Sequence, residues 1–165
     1  MDLRERFLKY VAFDTKSDEN SETFPSTASQ LAFGDMLVND LHELGLMNAY
    51  KDEFGYIYGR IDVNKDQTIG LIAHMDTAPV FDGGLKEPLI INSYDGKDIY
   101  LKSGDVLSLN DFPFLKDLKG EDLICTDGYH LLGADDKAGI VIIFEIIKYF
   151  LLHKDELKVN LAICF

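Results

Sequence analysis

The chain has 165 residues, 47% of them hydrophobic and 27% charged, enough for one globular domain with its own core. Its formal net charge of −13 speaks against nucleic acid and against an anionic membrane surface, since both need clustered Lys and Arg, and is compatible with cations as ligands. No apolar run reaches the roughly 20 residues of a transmembrane helix, and the charged, amphipathic stretch Met1–Phe13 does not read as a secretory leader, so the expected compartment is the cytoplasm.

Leu3, Phe7, Leu8 and Val11 recur at helical spacing and predict a helix over residues 3–13. Asp14 to Pro25 is polar and reads as a loop. Thr27 with Gln30 three positions later suggests a capping box opening a long helix through Leu31, Leu37, Leu41 and Leu44, closed by Gly45. Asn48–Lys51 and Tyr56–Ile61 read as two strands around a turn at Gly55. Thr68–His74 is a nearly unbroken apolar run, the pattern of a buried central strand. Thr77–Glu87 is a loop. Leu89–Ser93, Asp98–Lys102 and Asp122–Thr126 are short strand candidates. Residues 136–150 predict a helix with Ile140, Ile143, Phe144, Ile147 and Leu151 facing inward, and Lys158–Phe165 a further apolar strand. The alternation of strands and helices in the later half points to an α/β layer architecture. A core strand with no turn after it reads as part of a longer chain, so the sequence is expected to be a fragment. Cys125 and Cys164 lie in apolar runs and read as free, buried thiols.

Two patches carry the chemistry: His74-Met75-Asp76 at the end of the first apolar strand, and Gly133-Ala134-Asp135-Asp136-Lys137-Ala138-Gly139 at the start of the last helix. Residues i and i+2 of a strand point the same way, so Asp76 can accept one ring N–H of His74 and leave the other nitrogen for a metal. A short H-x-D also fits a histidine that merely bonds to a neighbouring loop. Asp135 and Asp136 repel each other unless a cation or donors compensate; Lys137 compensates one, a dication both. A single Asp there would be an ordinary helix cap. Gly133 and Gly139 allow close approach of the backbone. The set is incomplete, because a catalytic zinc takes three protein ligands plus water. No second H-x-D, no H-E-x-x-H or C-x-x-C and no motif-borne general-base Glu is present. His42 and His153 read as surface residues, and His130 belongs to no motif.

At these residues the sequence resembles the peptidase T family, tripeptide aminopeptidases of the co-catalytic zinc exopeptidases. The resemblance runs through Glu5-Arg6-Phe7-Leu8, Pro25-Ser26-Thr27, Ala73-His74-Met75-Asp76-Thr77 and Thr126-Asp127-Gly128. It is most specific in Leu131-Leu132-Gly133-Ala134-Asp135-Asp136-Lys137-Ala138-Gly139-Ile140. It implies an α/β three-layer sandwich around a mixed, mostly parallel central sheet, incomplete here, with residues 1–165 as the N-terminal part of the catalytic domain. The lid domain and the rest of the catalytic domain would lie beyond, together with the general-base Glu and further ligands. It implies two zincs per intact site, His74 as a ligand of one and Asp135 bridging both. Asp76 would be the catalytic residue that orients His74, and Asp136 a supporting non-ligand joined to Asp135 by a cis peptide. The implied substrate is a short peptide losing its N-terminal residue, with a possible homodimer in the intact protein, and the fragment alone is expected to be inactive. Two alternatives stay open: a different di-metal hydrolase, such as a phosphoesterase, although Arg4, Arg6 and Arg60 are scattered; and a non-catalytic remnant of a truncated gene.

Overall fold

Asp2 opens the first helix, α1 (Leu3–Val11): its carboxylate accepts the Glu5 N–H at 2.8 Å while the Glu5 carboxylate accepts the Asp2 N–H at 3.0 Å. The computed structural model describes residues 1–165. The second helix, α2 (Ala28–Leu44), ends on Gly45 at φ +107°, the left-handed cap expected there. Its start differs from the capping box the sequence suggests. The Thr27 hydroxyl donates to the Lys16 carbonyl and the Gln30 amide to the Thr15 carbonyl, each at 3.2 Å, so both side chains are spent on the segment before the helix.

Strands β1 (Tyr50–Lys51) and β2 (Ile57–Ile61) form an antiparallel hairpin whose turn is held by the Asp52 carboxylate, which accepts the Phe54 and Tyr56 N–H groups. β3 (Thr68–Ile72), β4 (Leu89–Ile91), β5 (Ile99–Tyr100), β6 (Val106–Leu107) and β7 (Leu123–Cys125) follow. Helix α3 (Ala134–Leu152) and β8 (Asn160–Cys164) complete the chain. β6 and a 3-10 helix over Pro113–Leu118 have no counterpart in the sequence reading; both are too short to set up a hydrophobic period.

The main sheet has the order β1-β2-β8-β3. β8 pairs antiparallel with β2 and parallel with β3, so the sheet is mixed, and one of its three pairings is parallel, a smaller share than expected. β8 is an inner strand. β3 is not the buried central strand its sequence suggests: it forms an edge, with Ile72 77% exposed. A continuous apolar run says that both faces of a strand suit burial; it does not say that these 165 residues supply the second neighbour.

Register puts Ile57, Gly59 and Ile61 of β2 on the same face as Leu161 and Ile163 of β8. That face packs with α1, α2 and α3 in one core, around Tyr10, Phe33, Leu37, Ile140, Phe144 and Ile147, all fully buried. Each such side chain contributes about 1.5–3 kcal/mol of transfer free energy. The other face carries Tyr50, Tyr58, Ile72 and Cys164, with Tyr50 and Ile72 exposed, so the layered sandwich is incomplete in these residues. A polar knot ties α1 to α2. Asp40, 5% exposed, accepts from Lys9 Nζ at 2.6 Å and Tyr10 Oη at 3.0 Å, with Arg6 3.6 Å away. Burial raises the Tyr10 phenol pKa far above its ordinary value, against the hydrogen bond from Arg6. Smaller sheets, β4 with β7 and β5 with β6, enclose a satellite core of Tyr94, Ile99, Leu101 and Leu115. No helix is long and apolar enough to cross a membrane.

Candidate metal centre

The Ala73 N–H still bonds to the Cys164 carbonyl at 3.2 Å, and the chain then leaves the sheet. His74 is therefore presented at the end of β3, beside the last residues of its parallel neighbour. Its Nδ1 lies 3.0 Å from the Asp76 carbonyl oxygen and 3.2 Å from Asp76 Oδ1. Its Nε2 lies 3.1 Å from Asp135 Oδ1. Burial alone would lower the His74 pKa; the hydrogen bonds to Asp135 and Asp76 and their negative charge outweigh it, so the pKa stands above the ordinary value. The His74 ring lies between the two acidic residues.

Asp135 and Asp136 sit on an irregular first turn of α3. Gly133 adopts φ +71°, and Asp135 and Asp136 have non-helical angles before regular helix begins. The peptide joining them is cis. Two glycines make this turn possible. A Cβ on Gly133 would lie 3.3 Å from Thr77 Cγ2, in a backbone conformation L-residues avoid. A Cβ on Gly139 would lie 2.3 Å from Asp136 Oδ1, which accepts the Gly139 N–H at 3.1 Å. Asp136 thus folds back over its own helix, while the Asp135 carboxylate is 95% exposed.

One nitrogen of His74 and one oxygen each of Asp135 and Asp136 lie within 4.8 Å of one another. Imidazole nitrogen with carboxylate oxygen is a donor set that suits zinc. Asp76 stands outside the trio, holding the far nitrogen of the ring. The trio leaves the set short of a complete hydrolytic centre, and no other cluster of three such side chains is present.

Beneath this turn the Lys137 side chain runs inward, 1% exposed. Burial pushes its pKa down to about 8, against the charge of Asp14. A cavity of about 540 Å³ opens beside the site, lined by Pro25, Phe54, Tyr56, Ile72 and Phe165, with His74 and Asp76 at its margin.

The other histidines lie elsewhere. His42 bonds to the Ala49 carbonyl at 2.8 Å, and His153 stacks on Tyr149. His130, without a motif in the sequence, proves to be paired: its Nδ1 lies 2.8 Å from Asp127 Oδ2, and Asp127 also accepts the Tyr129 and His130 N–H groups. Burial would raise the Asp127 pKa; the hydrogen bonds from His130 and Tyr129 overcome it and hold the carboxyl at about 2. The D-x-x-H spacing was the available signal. Cys125 and Cys164 are free and half-buried, their thiol pKa values raised by burial.

No protein-family model matches the chain. A peptidase T of Caldanaerobacter subterraneus subsp. tengcongensis is 50% identical over 98% of the chain, which covers 41% of that relative. A peptidase T of Halothermothrix orenii is 45% identical with the same coverage of 98% and 41%. Among solved structures, a tripeptidase from Staphylococcus aureus subsp. aureus Mu50 superposes with a TM-score of 0.56 at 21% identity, over 98% of this chain and 35% of that one, which shows a shared fold. The chain spans about two fifths of the length of the curated relatives.

Proposed function

The chain belongs to the peptidase T family, and from that premise we propose that residues 1–165 are the N-terminal part of a catalytic zinc-peptidase domain. In the whole protein that domain releases the N-terminal residue from short peptides, tripeptides above all. The observation that carries the reading is the 3.1 Å approach of His74 Nε2 to Asp135 Oδ1 at the end of β3, within the two motifs of highest chemical content.

His74 Nε2 and an Asp135 oxygen are the metal donors of this reading, and Asp136 supports Asp135 from the same turn. Zinc held there would supply Lewis acidity, lowering the pKa of water and polarising a peptide carbonyl. Asp76 fixes the His74 tautomer by accepting at Nδ1, so that Nε2 keeps its lone pair for a metal. Asp135, exposed and carrying two oxygens, would serve as a carboxylate donor, and two zincs per intact site is the count proposed. The adjoining cavity is apolar enough for an aliphatic or aromatic peptide side chain. The general base is expected in the part of the whole protein that these residues do not span, so by themselves they are expected to hydrolyse no tripeptide. A cytoplasmic location and a homodimeric whole protein complete the reading.

The test is a chimera in which these residues replace the matching part of the Caldanaerobacter peptidase T. With zinc it should release the N-terminal residue of a tripeptide, and His74→Ala in the chimera should abolish turnover. A folded chimera that binds zinc and leaves tripeptides intact would overturn the assignment.

A further inference from the structure

Lys137 is a buried cation in an unusual position. Its Nζ donates to the Phe13 carbonyl at 2.6 Å, lies 5.3 Å from the centre of the Phe33 ring, and makes no ion pair. An apolar side chain would fill the same space without the cost of burying a charge, so packing does not account for a lysine here. What the ammonium does is grip one backbone atom. Phe13 begins a segment that is itself bonded to the loop after His74. The Thr77 N–H donates to the Thr15 carbonyl at 3.1 Å, and the Ser17 N–H and hydroxyl donate to the Thr77 carbonyl at 3.0 and 3.1 Å. Lys16 and Thr77 form a parallel bridge. On its other side Thr77 lies against Gly133, where a Cβ would stand 3.3 Å from Thr77 Cγ2 and 3.7 Å from Lys137 Nζ.

His74 and Asp135 sit on separate elements, one just beyond β3 and one on the first turn of α3, and residues 13–17 touch both. We propose that Lys137 is a positioning residue: by holding the Phe13 carbonyl it fixes the start of α3 against the 13–17 segment, and so sets the spacing between His74 and Asp135. The brace acts before any metal arrives. Its consequence for metal affinity rests on the metallopeptidase reading above; the spacing itself does not.

The experiment uses the metal-free 165-residue chain with ¹⁵N-labelled imidazoles, observed by NMR at one fixed pH, alongside thermal unfolding and Co²⁺ titration. Lys137→Met keeps the apolar stem and removes the donor. It should move the His74 Nε2 resonance toward that of a solvent-exposed imidazole, while the Tm changes little, since relief of the buried charge offsets the unpaired Phe13 carbonyl. Co²⁺ affinity should fall at least tenfold, the effect of losing a partner that orients a ligand. Ser17→Ala, a milder cut in the same brace that keeps the Ser17 N–H bond to the Thr77 carbonyl, should shift the same resonance less and in the same direction. An unchanged His74 signal in the folded variants overturns the proposal, as does a loss of Tm with the His74 signal intact, which would mark Lys137 as structural only. If Lys137→Met does not fold, the Ser17→Ala signal decides. A parent chain that takes up no Co²⁺ counts against the metallopeptidase reading, while the His74 resonance still judges the brace.

Discussion

His74 Nε2 and Asp135 Oδ1 stand 3.1 Å apart across 61 positions of sequence, while the other ring nitrogen of His74 faces Asp76. The two carboxylates are therefore not equivalent. Asp135 shares the nitrogen a metal would take, whereas Asp76 touches only the far side of the ring. His74→Ala should abolish the weak zinc uptake of the chain, and Asp76→Ala should retain binding at about 10–100-fold lower affinity. Calorimetric titration of both variants checks this. Equal loss in the two would refute an orienting role for Asp76.

On the proposed reading, proton and metal compete for the same nitrogen of His74. In the metal-free chain the His74 pKa is raised, with hydrogen bonds to Asp135 and Asp76 prevailing over burial. The bridge thus contributes stability that is fully present below the unfolded value of about 6.5 and is lost as pH rises through the higher folded value. Both side chains of the His74–Asp135 pair are more than a third exposed, so the contribution is small after solvent screening. Metal uptake runs the opposite way: affinity should climb with pH until His74 is deprotonated and then level off. Zinc titrations at acid and mildly alkaline pH give the sign directly, and an affinity that falls with rising pH would contradict the assignment of His74 as donor.

Helix propensity alone says that Gly139→Ala should stabilise α3 by about 1 kcal/mol. The structure says the reverse. The new methyl would stand 2.3 Å from Asp136 Oδ1, so either Asp136 swings away and abandons the Gly139 N–H or the helix shifts. A net loss of about 1–3 kcal/mol is expected, the usual cost of overpacking. Asp136→Ala in the same chain should restore most of it by removing the clash. Urea denaturation of the single and double variants measures both effects, and simple additivity between the two would rule out the clash.

The motifs were legible because chemistry needs particular residue types in fixed order: H-x-D at a strand end and paired Asp behind a glycine announce themselves without any knowledge of packing. The helices were legible because the period of α3 places Ile140, Ile143, Phe144 and Ile147 on one buried face. What the sequence hid was whatever depends on partners distant in the chain. β3 has the composition of an inner strand and lies at an edge. Thr27 and Gln30 have the spacing of a capping box and serve Lys16 and Thr15 instead. Lys137 reads as the counter-charge of one of the paired aspartates, yet it makes no ion pair, and its grip on the Phe13 carbonyl, 124 residues away, leaves no local trace. Gly139 could be called permissive from its sequence, but the need for it comes from Asp136 folding back.

Asp40 offers a control for stability away from the site. It accepts from Lys9 and Tyr10 and lies 3.6 Å from Arg6, and the Arg6 and Asp40 side chains are each 6% exposed. Removing the carboxylate by Asp40→Ala leaves a guanidinium buried between Tyr10 and Phe144, with Arg6 Nε already lacking a partner. Uncompensated buried charge of this kind costs about 3–5 kcal/mol. That is a large share of the 5–15 kcal/mol typical of a domain, so the variant should unfold far below the parent temperature. Asp40→Asn, which keeps an acceptor for Arg6 and Tyr10, should lose less. Because the knot joins α1 to α2 and touches neither His74 nor Asp135, the folded fraction of either variant should keep the parent's zinc affinity. Thermal melts paired with zinc titration below the transition would show whether stability and ligand geometry are separable, and an affinity that falls with Tm in Asp40→Asn would mean that they are not.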